Sequence, residues 1–206
     1  MINPLKILLS VLFLGVSTFS AFASQYPDET PDKATLQTRL ESINHDFTYR
    51  GRPLNPRLLQ ALMPAISDPN YPTLLTVDIV KAFNTNQFFV SKIENHHGII
   101  EIKEDSGSSF GYKWLGQLKN GMHVLETFEN TGGSGTFENL IFVEFSLSEG
   151  YSEEGDTYPQ LLMSIKRIYS IGDRTYADFH INGNSIIAKL RESSDNKERT
   201  ITLSMP

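Results

Sequence analysis

The sequence predicts an α+β fold, with N-terminal helices packed on a mainly antiparallel β-meander of about nine strands that forms a barrel or sandwich. Three observations point there. Residues 24–86 carry apolar positions at helical spacing behind clear helix starts. Residues 87–206 switch to short runs of Phe, Val, Ile, Tyr and Thr punctuated by Gly, Asn and Asp. Strands and helices do not alternate along the chain, which disfavours a doubly wound parallel sheet.

The first 23 residues read as a secretory signal. Lys6 lies in a short leading region, Ile7–Val16 is apolar apart from Ser10 and Gly15, and Ala21-Phe22-Ala23 places small residues at −3 and −1. The apolar run is shorter than the roughly 20 residues that span a bilayer, so it reads as a cleaved signal and not as an anchor. Cleavage is expected between Ala23 and Ser24, giving a periplasmic or secreted chain. No cysteine follows the run, so a bacterial lipid anchor is excluded. No later stretch is apolar enough to span a membrane after signal cleavage. Residues 24–206 are long enough for one domain with its own core.

The first helix is predicted to start with Thr30 as N-cap, Pro31 at the first helical position and Asp32 in the first turn. Leu36, Leu40, Ile43 and Phe47 follow on one stripe. A second start is Asn55-Pro56, with Leu58, Leu59, Leu62, Met63 and Ile66 on the apolar face. Pro64 should end or kink this helix near Met63. Asp68–Pro72 reads as a turn. Thr73–Asn84 fits both helix and strand spacing and is taken as a short helix.

Strands are expected at 87–94, 98–104, 111–118, 122–129, 138–147, 160–171, 174–182, 185–191 and 198–204. The C-terminal hairpin has a definite register. Gly183-Asn184 in a type II′ turn sets Ile181 against Ile186, Phe179 against Ala188 and Ala177 against Leu190. The other face then pairs Asp178 with Lys189 and Tyr176 with Arg191. A one-residue slip scrambles both faces. The same procedure with Gly172-Asp173 as a turn sets Arg167 against Asp178 and Tyr169 against Tyr176. It leaves Lys166 against Phe179, where a bulge is expected. The product is a three-strand ladder of Arg167, Asp178 and Lys189 beside Tyr169, Tyr176 and Arg191. Such a ladder is a solvated sheet face or a protein-binding face, since Tyr and Arg are favoured at interfaces.

Composition excludes several functions. The chain has 18 Lys+Arg against 24 Asp+Glu, a net charge of −6, and no cysteine. Acidity argues against a nucleic-acid partner. The absence of cysteine excludes disulfides, thiol catalysis and zinc–thiolate sites. A hydrophobic share of 39% with 20% charged residues marks a globular chain.

Candidate chemistry is sparse. Asn130–Thr136 contains Gly132, Gly133, Ser134 and Gly135, whose freedom allows close backbone approach to a partner or ligand. A strand pattern follows it in place of a helix, and no Gly-Lys-Ser/Thr is present, so a nucleotide loop is disfavoured. Thr136 stands where a nucleophile elbow needs its second Gly. The histidines His45, His96, His97, His123 and His180 lack metal-ligand spacing, although Glu94 could assist His96 or His97; no metal and no cofactor is expected. Glu149–Asp156 is an acidic loop without the calcium-loop pattern, either solvated or docking a basic partner. Glu126, Glu129, Glu138, Asp178 and His180 are the acid–base candidates in or beside strands. Trp114 reads as core.

The leading functional expectation is an exported, soluble, inhibitor- or immunity-like binding module whose partner is another envelope protein. Its expected contacts are Gly132, Gly133, Ser134, Gly135, Arg167, Tyr169, Tyr176, Asp178, Lys189 and Arg191. The alternatives are a β-barrel holding a small apolar ligand and an envelope hydrolase using His180 or Glu126.

Overall fold

The computed structural model describes residues 31–63, 76–84, 93–192 and 198–205. The signal segment, its cleavage point, Thr30, Pro64, the turn at 68–72 and the strand start at 87–92 lie outside these residues. No helix among the described residues is long and apolar enough to cross a membrane.

The first helix, α1, spans Lys33–Asp46. Its N-cap is Asp32, not Thr30: the Asp32 carboxylate accepts the Thr35 amide at 2.7 Å. Leu36 and Ile43 are buried along the expected stripe. Phe47 closes the helix in the left-handed region at φ 57°, its amide bonded to the Ile43 carbonyl at 2.8 Å. That conformation costs a non-glycine residue about 1 kcal/mol, which burial of the phenyl ring offsets.

Arg50 and Gly51, both left-handed, turn β1 (Thr48–Tyr49) into β2 (Arg52–Pro53). Asn55 caps α2 (Pro56–Leu62) and Pro56 takes the first helical position, as the sequence predicts. The ambiguous segment is split: Val77–Asp78 is a two-residue strand, β3, and Ile79–Asn84 is the short helix α3.

Nine strands follow: β4 (Ile93–His96), β5 (Ile99–Lys103), β6 (Ser109–Gln117), β7 (His123–Asn130), β8 (Phe137–Tyr151), β9 (Thr157–Asp173), β10 (Thr175–Asn182), β11 (Ser185–Glu192) and β12 (Glu198–Ser204). They form two sheets. A curled seven-stranded half-barrel runs β3-β9-β8-β7-β6-β5-β4, and a three-stranded sheet runs β10-β11-β12. All pairings are antiparallel.

Period-2 alternation gives the large sheet two apolar faces. One packs against the helices: Leu125, Ile141 and Val143 meet Leu36, Ile43, Leu58 and Leu59. The other meets the small sheet: Val124, Leu140 and Phe142 pack with Ile186, Ala188 and Leu190. Each such side chain contributes roughly 1.5–3 kcal/mol on burial. The result is three layers: helices, large sheet, small sheet.

The β10–β11 register is the expected one, with Ile181↔Ile186, Asp178↔Lys189 and Tyr176↔Arg191. Gly183 has φ 60° and Asn184 is not left-handed, as a type II′ turn requires.

Candidate functional site

The junction of β9 and β10 departs from expectation. Gly172-Asp173 is not a hairpin turn. β9 pairs with β8 up to Asp173, and β10 pairs with β11 in the other sheet. Gly172 at φ 147° and Arg174 at φ 49° bend the chain into a corner, and the chain changes sheet. The predicted three-strand ladder is therefore broken. Tyr169 stands opposite Leu140, and Arg167 opposite Phe142. Lys166, expected against Phe179, ion-pairs with Glu144 at 2.7 Å. Tyr176, Asp178, Lys189 and Arg191 do share the outer face of the small sheet, where the Arg191 guanidinium lies 5.5 Å from the Tyr176 ring centroid. Tyr176 is 67% exposed. His180 alternates onto that same outer face, whereas Glu126 lies on the large sheet beneath, so the two hydrolase candidates do not converge.

The glycine loop joins β7 to β8 and is tied down at both ends. The Asn130 side chain accepts the Gly132 amide at 2.8 Å. Asp173 Oδ1 accepts the Thr136 amide at 2.8 Å, and the Arg174 amide donates to the Thr136 carbonyl at 3.0 Å. The amides of Gly132 and Thr136 are thus already engaged, the latter by a carboxylate, which disfavours an anion cradle. Gly133 and Ser134 are exposed. A polar groove of about 260 Å³ runs beside the loop, with Ile102 and Phe110 in its wall and Glu129 and Thr131 at its rim.

The acidic loop proves to be the tip of a long arm. β7 stops pairing with β8 at Val143, yet β8 and β9 continue as a pair to Tyr151↔Thr157. β3 pairs with this arm only at Leu162–Met163. The tip is a fixed turn: the Ser152 amide reaches the Asp156 carbonyl at 2.8 Å, and Ser152 Oγ accepts the amides of Glu154 and Asp156 at 3.2 Å each. Tyr151 is 73% exposed there. From Asn120 to Ile165 the chain has eight acidic residues and no Lys or Arg. A groove of about 420 Å³ lies between the arm and the start of α1, lined by Asp32, Lys33, Leu147, Glu149 and Tyr158.

Among the described residues, one histidine and two glutamates are buried. His123 is 0% exposed on the helix face of β7, among the rings of Phe47, Trp114 and Phe145 at centroid distances of 5.3, 6.1 and 5.2 Å. Burial lowers its pKa to about 4. Its Nδ1 and Trp114 Nε1 are both buried without a hydrogen-bond partner. Glu126 and Glu138 lie on the opposite face, 7% and 9% exposed. Burial raises each to about 7; Lys113 opposes the rise at Glu126, and the charges of Glu126 and Asp173 add to it at Glu138.

Glu94 does assist His96, as the sequence allowed, but Glu101 and Lys103, which join them, were not foreseen. Glu94, His96 and Glu101 bring ligand atoms within 4.8 Å of one another. Lys103 already places its ammonium 3.2 Å from Glu94 and 3.4 Å from Glu101, and His96 Nε2 lies 2.9 Å from Glu94. This is an ion-pair network with its own cation, and it carries no metal assignment. The burial of Glu126 and Glu138 was also missed, because acids on alternating strands read as solvent-facing. Comparison with known protein families, with curated proteins and with solved structures finds no match for this chain.

Proposed function

We propose that the chain is an exported binding module that recognises another protein of the cell envelope, and that the β8–β9 arm is the principal contact. The partner surface is basic. The observation that carries this reading is the arm itself: it projects past β7, presents Tyr151, and holds Glu149, Glu153, Glu154 and Asp156 on a hydrogen-bonded tip with no basic residue among them. Tyr is a frequent anchor of interfaces, and a one-signed rim steers and orients an oppositely charged partner. A rigid tip also spares the ordering entropy that a flexible loop loses on binding. The ligand-barrel alternative draws no comparable support, since the face beneath the helices is filled by Phe47, Tyr112, Ile141 and their neighbours.

The test is capture of partners from an envelope extract on the tagged full chain, beside a chain carrying Glu153→Lys and Glu154→Lys. A basic protein retained by the first and lost from the second, with binding that weakens as salt rises, supports the reading. A partner held equally by both chains overturns the arm as the contact.

A further inference from the structure

The two long edges of the β8–β9 arm are unlike. Along β9, Met163 and Leu162 pair with β3, and the Asp78 carboxylate accepts the amide of Leu161. Main-chain groups alternate along a strand, so Pro159, Leu161 and Met163 share that outward direction. Pro159 has no amide to offer there. A proline, a carboxylate and a short strand thus close this edge, and such devices keep an edge from recruiting another chain.

The β8 edge has no such closure. The outward amide of Leu161 fixes the hydrogen-bonding parity of the arm. Leu147, which stands opposite it, likewise turns its amide and carbonyl away from β9, toward the side that β7 has left. The tip gives the same parity independently. The Ser152 amide points inward to the Asp156 carbonyl at 2.8 Å, so the main chain of Tyr151 points outward. Phe145, Leu147, Glu149 and Tyr151 therefore line the edge with their amides and carbonyls, while Ser146, Ser148 and Gly150 bond to β9. β7 pairs no further than Val143, and among the described residues nothing bonds to the outward groups of these four. Neither Lys nor Pro lies between Glu144 and Tyr151, and the ladder with β9 has no bulge there. An edge of this kind is a template for a further strand.

Charge selects the occupant. A second copy on this edge would bring two acidic arms together, each with Glu149, Glu153, Glu154 and Asp156. A basic segment is drawn by the same groups. Phe145 and Leu147 are half-buried on the helix face of the arm, and Leu147 and Glu149 line the groove beside α1. Side chains directly opposite them in an added strand fall on that same face. We propose that the β8 edge from Phe145 to Tyr151 takes an extended basic segment of the partner as an added antiparallel strand. The segment carries apolar residues opposite Phe145 and Leu147, and Lys or Arg opposite Glu149. This rests on the arm being the contact and specifies how it is used: main-chain bonds hold the segment, and alternate side chains select it.

The probe is the capped peptide Lys-Thr-Lys-Thr-Val-Thr-Val, which sets Lys opposite Tyr151 and Glu149 and Val opposite Leu147 and Phe145. Amide exchange of the full chain is read residue by residue by NMR. In the free chain the amides of Leu147, Glu149 and Tyr151 should exchange fast, and those of Ser146, Ser148 and Gly150 slowly. Saturating peptide should slow the first set by about tenfold or more and leave the second unchanged. Glu149→Pro removes one outward amide and keeps the pairing with β9; it should weaken the peptide by about tenfold or more. Glu149→Gln, which removes only the charge, should weaken it by about threefold or less. The alternation in the parent chain decides even if the proline variant fails to fold. Peptide held at the tip without slowing the outward amides, and lost with Glu153→Lys and Glu154→Lys, overturns the added strand and leaves the arm as the contact. No binding at millimolar peptide overturns the added strand alone. Protection confined to β10–β12 overturns both readings. Outward amides that are protected without peptide, in step with a concentration-dependent dimer, give the edge to a second copy and overturn the proposal.

Discussion

Asn44 on α1 and His123 on β7, separated by 79 residues in sequence, meet across the first core with Asn44 Oδ1 3.1 Å from His123 Nε2. An amide oxygen there can only accept, and the Gln117 amide nitrogen 3.4 Å from Nε2 is engaged more closely by the Gly121 carbonyl at 2.9 Å, so the imidazole proton is assigned to Nε2 and Nδ1 is left bare. The ring is held neutral, with a pKa lowered to about 4. The unfolded chain binds a proton near 6.5, so stability is full above that value and declines as pH falls toward 4. Urea unfolding at pH 7 and pH 4.5 is expected to show that His123→Gln lowers the acid loss by about 1–3 kcal/mol relative to the parent. The difference between chains matters, because Glu126 and Glu138 act with opposite sign over this range. Equal acid losses in both chains would show that the imidazole is not held neutral.

Tyr112 ties β6 to the segment before α2 by donating its hydroxyl to the Leu54 carbonyl at 2.8 Å, a buried bond. Tyr112→Phe preserves the ring, its edge contact with Phe47 and nearly all of the packing, but strands the carbonyl. A loss of about 1–3 kcal/mol in urea unfolding is expected. A loss under about 0.3 kcal/mol would mean that the carbonyl finds another donor.

Gly172 and Gly133 are expected to behave oppositely. A Cβ at Gly172 would lie 2.6 Å from Thr175 Oγ1, at φ 147°. One at Gly133 meets nothing within 4 Å, and its φ is not left-handed. Gly172→Ala should cost about 1–3 kcal/mol and expose β10 amides to exchange, while Gly133→Ala should stay within about 0.5 kcal/mol. Equal melting temperatures for the two variants would refute the tight corner.

Tyr151 and Tyr176 are both strongly exposed, on different surfaces. If the arm is the contact, Tyr151→Ala should weaken partner binding by roughly tenfold or more, and Tyr176→Ala should leave it unchanged. Both melting temperatures should stay near that of the parent. Titration calorimetry with the captured partner decides; the reverse order of effects would return the contact to the small sheet.

Local chemistry made much of the fold readable. Asn55-Pro56 announced α2, and the Gly183-Asn184 turn with its alternating flanks admitted one register. The corner was unreadable for a physical reason. Gly172-Asp173 has hairpin composition, but whether a strand after a bend pairs with its predecessor or starts another layer depends on contacts far away in sequence. Here Leu140 and Phe142 need a cover, and β10–β12 provide it. That is why Arg167 and Tyr169 left the ladder. The acidic loop was legible as a loop, but its projection depends on β7 ending eight residues before β8 does. The carboxyl pair was illegible because alternation gives the same spacing to a solvent face and to a seam between sheets.

The unbroken absence of Lys and Arg from Asn120 to Ile165 governs how the arm can be seen at all. Trypsin, which cuts after Lys and Arg, releases this region as one long fragment from Asn120 to Lys166. Amine-reactive reagents find no lysine at the tip itself, so a partner seated there is cross-linked only through lysines away from it, such as Lys33 at the groove beside the arm. Carbodiimide coupling of Glu153 or Glu154 to a partner's lysines, followed by a glutamate-specific protease, suits its chemistry. With those reagents the acids that attract the partner also record where it was.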